Sequence, residues 1–148
     1  MTERPAFAKF FTLEEAQGIV AEIEPLVSEM KQTFARIRRE IADASRASGI
    51  ALSSPHLSQQ LEERGIASPL VEQVNVLIRR VHEKGCVVNG PEAGLVDFPA
   101  LLDSEIVFLC WQHGETRIGH WHRIPDGFAG RKPLLGPEVA SEIPSTVH

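Results

Sequence analysis

The chain has 148 residues, 43% hydrophobic and 24% charged, with a formal net charge of −5 and a pI near 5.7. These values exclude a disordered chain and describe one long enough to bury a real core, while the acidic balance disfavours a general grip on nucleic-acid phosphates. Two cysteines, Cys86 and Cys110, cannot build a disulfide framework; with no basic-then-apolar leader and no apolar run long enough for a bilayer, the sequence reads as a cytoplasmic protein with two buried thiols.

The first element opens at Thr12-Leu13-Glu14-Glu15, a capping box in which the Thr12 hydroxyl takes the Glu15 amide and the Glu15 carboxylate returns to the Thr12 amide. Leu13, Ala16, Val20, Ile23, Val27, Met30, Phe34, Ile37, Ile41 and Ala44 then step by three and four, the spacing of a coiled-coil seam. Gly49 is a natural C-cap, so the helix spans Leu13 to Ser48, about 54 Å at 1.5 Å per residue. Pro25 removes one amide donor and crowds the Ala21 carbonyl, which predicts a kink. Acidic residues (Glu14, Glu15, Glu22, Glu24, Glu29) lie early and basic ones (Lys31, Arg36, Arg38, Arg39, Arg46) late, complementing the helix dipole. The same split suits antiparallel pairing, with a second helix or with a second copy of the chain. Phe34, Ile37 and Ile41 are the expected interface of a homodimer.

A second helix is expected from Pro69 to Lys84, with Ser68 as N-cap and Gly85 as C-cap. Leu70, Val74, Leu77, Ile78 and Val81 form its apolar face, and Arg79, Arg80 and Lys84 would lie beside the acidic half of the first helix. At roughly 24 Å it covers only part of that helix. Ser54 to Arg64 can form a short helix closed by Gly65. From Cys86 the period shortens: Cys86 to Val88, Gly94 to Phe98, Glu105 to Gln112 and Thr116 to Ile124 read as strands, the last two joined through His113-Gly114. The expected fold is α+β: a long kinked helix and a shorter antiparallel one, a helical hairpin, packed on a small antiparallel sheet of three to four strands. One domain is expected over residues 10–134, helical over 10–85 and β over 86–134, with 135–148 as a flexible tail.

The helix opening Phe10-Phe11-Thr12-Leu13-Glu14-Glu15-Ala16 is followed by Gly94-Leu95-Val96-Asp97-Phe98-Pro99, Cys110-Trp111, Trp121-His122 and Gly127-Phe128-Ala129-Gly130-Arg131-Lys132-Pro133-Leu134. This pattern resembles domain-of-unknown-function family 2203, uncharacterised small bacterial proteins, over roughly Phe10 to Leu134. The resemblance implies a small cytoplasmic bacterial protein and carries no activity, cofactor or catalytic residue.

Chemistry-bearing residues gather in the β part. His120 and His122, two apart on a strand, point to one face and can present two imidazoles to one metal ion. A two-residue His113-Gly114 turn would set Glu105 opposite His122 and Val107 opposite His120, a one-step change in the turn would put Val107 opposite His122 instead, and Asp97 is the other nearby carboxylate. Two histidines and a carboxylate would suit zinc or manganese, in a metal-binding protein or a hydrolase with metal-activated water. Arg131, with Gly127 and Gly130 amides and Trp111 as a stacking surface, could hold an anion; the simpler reading pairs Arg131 with Asp97. Cys110 inside an apolar strand is a poor nucleophile. Arg36, Arg38 and Arg39 read as a solvated face rather than a nucleic-acid site. The leading functional expectation is a non-catalytic, self-associating interaction module; the rival is the metal site.

Overall fold

The structure, a computed structural model, describes residues 7, 9–65 and 67–134. The expected tail over 135–148 lies outside the described residues. Helix α1 (Leu13–Ser48) begins at the capping box: the Thr12 hydroxyl accepts from the Glu15 amide at 3.1 Å, and the Glu15 carboxylate accepts from the Thr12 amide at 3.0 Å. The helix continues through Pro25 and closes at Gly49. Helix α2 (His56–Arg64) ends at Gly65, and α3 (Ala67–His82) starts one residue ahead of Ser68, which therefore lies inside the helix and not at its N-cap.

Strands β1 (Val87–Gly90), β2 (Leu95–Leu102), β3 (Glu105–Gln112), β4 (His120–Arg123) and β5 (Lys132–Pro133) form one antiparallel sheet in chain order. Among the described residues the sheet therefore has five strands, not three or four. The extra one is a two-residue strand anchored where the Leu134 amide donates to the Gly119 carbonyl.

Val96, Phe98, Ala100, Leu102, Val107, Leu109, Trp111 and Trp121 share one sheet face and join Ala16, Val20, Ile23, Val27, Met30, Val74, Leu77 and Val81 in one core. The side chains of Gln73 and Thr33 bond at 3.2 Å, and Lys84 and Glu22 at 2.9 Å, so α3 runs antiparallel beside α1. Further along α1, Ala44 is buried near α2, whose Leu57 is also buried, while Phe34, Ile37 and Ile41 are half-buried.

β2 runs on past Pro99, where the sequence suggested a strand end. The Pro99 carbonyl accepts from the Phe11 amide at 2.7 Å. A residue's carbonyl and nitrogen face the same side of a strand, so the missing Pro99 donor faces this outer edge, where β1 has ended, and no bond to β3 is lost. β2 then turns into β3 through Asp103 and Ser104, both at positive φ (50° and 70°), as in the primed two-residue hairpins. That turn sets Asp97 directly across from Cys110.

The expected β3–β4 register is corrected by three residues. Phe108, not Glu105, faces His122, and Cys110, not Val107, faces His120. The His113–Gly114 turn forms, with the Glu115 amide donating to the Gln112 carbonyl, but the chain does not return at once to β3. The Glu115 carboxylate accepts from the Gln112 amide at 2.7 Å, the Glu115 carbonyl accepts from Trp111 Nε1, and Gln17 on α1 captures the Ile118 amide at 2.8 Å. These bonds hold 115–118 off the ladder, and the odd shift swaps the face that β3 presents to the histidines.

Candidate metal centre

Asp97, Cys110 and His122 point away from the core face and are each about 1% exposed. Their ligand atoms (one carboxylate oxygen, Sγ and one ring nitrogen) all lie within 4.8 Å of one another. Ladder register brings Asp97 and Cys110 together. His122 joins them from β4, its Nε2 3.2 Å from Asp97 Oδ1. The other carboxylate oxygen, Oδ2, accepts from Asn89 Nδ2 at 2.7 Å, which fixes the plane of the carboxylate. Phe108, tilted against the imidazole at 5.5 Å, walls the cluster on one side.

The tautomer of His122 follows from its other nitrogen. Nδ1 lies 2.9 Å from the Arg123 carbonyl, which can only accept, so Nδ1 donates. Nε2 is thus the nitrogen aimed at the Asp97 carboxylate. A histidine that gives Nδ1–H to a backbone carbonyl and turns Nε2 toward other ligand atoms is oriented as metal-bound histidines are. With no cation, a proton must sit between Nε2 and Oδ1. Burial pushes the Asp97 carboxyl up, against the opposing charge of His122 and hydrogen bonds from His122, Asn89 and Cys110. Burial also pushes the Cys110 thiol up to about 12; Asp97 adds to that rise and Arg131 opposes it. The thiol therefore keeps its proton at neutral pH.

The remaining site residues are divided. His120 shares the face of His122 but stands outside the cluster: its Nδ1 is 2.7 Å from Arg131 Nη2. Arginine only donates, so His120 Nδ1 accepts and its ring proton sits on Nε2. Glu105 is far along β3 and pairs with Arg123 at 3.3 Å. Arg131 does not pair with Asp97; it binds Glu115 at 3.0 and 3.2 Å, because Asp97 is already taken by His122 and Asn89. Gly127 joins two 3-10 turns (Ile124–Asp126 and Phe128–Gly130), the second of which ends at Gly130. The Gly130 and Arg131 amides are spent on the Gly127 and Phe128 carbonyls. Trp111 belongs to the core face, away from the cluster.

Sequence reasoning missed Cys110 as a ligand and Asn89 as the group that orients Asp97. The signal for Cys110 was present: a two-residue turn at Asp103-Ser104 places Asp97 against it. Nothing local marks Asn89, because an irregularity between Val88 and Gly90 sets its position.

No described helix is long and apolar enough to cross a membrane. No curated protein and no solved structure matches the chain. Residues 9–134 match the family described as "Uncharacterized conserved protein (DUF2203)", and the chain belongs to that family.

Proposed function

We propose that this protein binds one transition-metal ion on Asp97, Cys110 and His122. The carrying observation is the orientation of His122, whose Nδ1 is committed to the Arg123 carbonyl while Nε2 meets a buried carboxylate that the register sets beside the Cys110 thiol. A thiolate in the donor set favours zinc over manganese. Three protein ligands leave a fourth tetrahedral position, the pattern of zinc sites that activate water. His120 and Glu105 have no part in this ligand set. The test is cobalt(II) substitution. Wild type is expected to show tetrahedral cobalt absorption with a thiolate charge-transfer band; Cys110→Ser should lose that band. A folded wild type that leaves cobalt in its aqueous form contradicts the reading.

A second reading, self-association through the late half of α1, draws on Phe34, Ile37 and Ile41, which neither α3 nor the sheet fully covers. The charge split lends it less support than the sequence suggested. Within the chain, Glu15 pairs with Lys9, Glu22 with Lys84, Glu24 with His113, Arg38 with Glu92 and Arg46 with Asp43. Light scattering at tens of micromolar decides: a dimer that Phe34→Asp with Ile37→Asp converts to monomer supports it, and a monomeric wild type removes it.

A further inference from the structure

Arg131 meets the β3–β4 pair Cys110↔His120 at its second member, its Nη2 2.7 Å from His120 Nδ1, and its charge bears on the Cys110 thiol. Glu115 occupies the same nitrogen through both carboxylate oxygens, at 3.0 and 3.2 Å, and the Phe128 ring lies 4.7 Å from the guanidinium carbon. The guanidinium is therefore held in place by three neighbours, and its side chain is only 14% exposed. Its Nε is buried and has no hydrogen-bond partner among the described residues. A buried charged donor without an acceptor is rare in folded proteins and marks a place where an acceptor belongs. Glu115 does not serve: its oxygens face Nη2 and the Gln112 amide, not Nε.

We infer that Arg131 is the anion-binding group of the metal centre, taking one oxygen of a small oxyanion, a carboxylate or a phosphate, whose other oxygen fills the fourth metal position. This rests on the metal reading above. The chemistry fits at each end. A fixed guanidinium donates along defined directions to oxyanion oxygens. A three-ligand ion retains one position for an exogenous oxygen. His120, whose Nδ1 accepts from Arg131, positions the guanidinium without touching the ligand set. His120 and Glu115, which hold the guanidinium, are more exposed than the ligands, with side chains 36% and 28% exposed.

The experiment uses the full chain loaded with cobalt(II), titrated with inorganic phosphate and, separately, with acetate, while the cobalt absorption is followed. A saturable spectral change with either anion is expected, and the anion that produces it identifies the class. Arg131→Gln should weaken that anion by about tenfold or more with cobalt occupancy retained. Arg131→Lys, which keeps the charge that balances Glu115 but lacks the Nε donor, should do the same, and it remains informative if the glutamine variant fails to fold. Cobalt that binds but never responds to either anion, or an unchanged anion affinity in Arg131→Lys, overturns the inference alone. Failure of wild type to bind cobalt overturns the metal reading, and this inference with it.

Discussion

The Asp97–His122 contact makes a quantitative prediction in the metal-free protein. Two unit charges 3.2 Å apart attract by about 5 kcal/mol at an effective dielectric near 20, and both side chains are shut off from water. Most of that attraction offsets the cost of desolvating them, so the pair adds little net stability. Removing one partner is different, because it strands the other: each of Asp97→Ala and His122→Ala should destabilise by about 3–5 kcal/mol. The double variant strands neither, so it should cost no more than the worse single variant, a coupling of about 3 kcal/mol or more. Urea unfolding at pH 7 with chelator present, for wild type and the three variants, closes the cycle. Costs that simply add, with coupling below about 0.5 kcal/mol, would refute the view that these groups share one buried proton or charge.

Other consequences follow from the same geometry. Gly94 has φ +71°, and a Cβ there would lie 2.7 Å from His113 Cβ and 3.1 Å from Val27 Cγ1. Gly94→Ala should thus cost about 2–4 kcal/mol from backbone strain and overpacking together, read as a fall in the urea midpoint; a change under about 0.5 kcal/mol would show the turn to be pliable. Burial raises the Cys86 and Cys110 thiols from 9.0 to about 12. Their folded values lie above the unfolded ones, so the native state holds protons that the unfolded chain releases. Stability should be unaffected by these thiols below pH 9 and fall between pH 9 and 12, by about 1.4 kcal/mol per pH unit for each thiol. Cys86→Ala with Cys110→Ala should flatten that slope, and an unchanged slope would contradict their burial as protonated thiols. Asp97 titrates in the same sense at lower pH. Its raised carboxyl contributes stability that is full below about pH 3.9 and is lost as pH rises through the folded value. Asp97→Asn in chelator should remove this component from the acid limb.

The α part was legible because its signals are local. The Thr12–Glu15 box, the three-and-four spacing from Leu13 to Ala44 and the glycine at 49 each act within a turn or two of chain, and α1 has the boundaries they imply. The β part was legible only in outline, because its register depends on distant groups. Pro99 suggested a strand end until Phe11 supplied the donor to its outer edge. The primed turn uses Asp103 and Ser104 in place of the glycine that usually announces one. Gln17, about a hundred residues away in sequence, helps to set where β4 can begin. Asp97 and His122 were identified as ligand candidates from residue type and strand parity, and they do meet. Cys110 was passed over because burial makes it a poor nucleophile, a fact that leaves its capacity as a metal ligand intact once the metal takes the proton's place.

The central claim is a metal ion on Asp97, Cys110 and His122, and elemental mass spectrometry of untagged protein purified without chelator tests it most directly. Wild type and His120→Ala are expected to carry about one zinc ion per chain, while His122→Ala and Cys110→Ser, folded by circular dichroism, carry almost none. A wild type that is empty and takes up no added zinc, or metal retained in His122→Ala and lost in His120→Ala, would contradict the account.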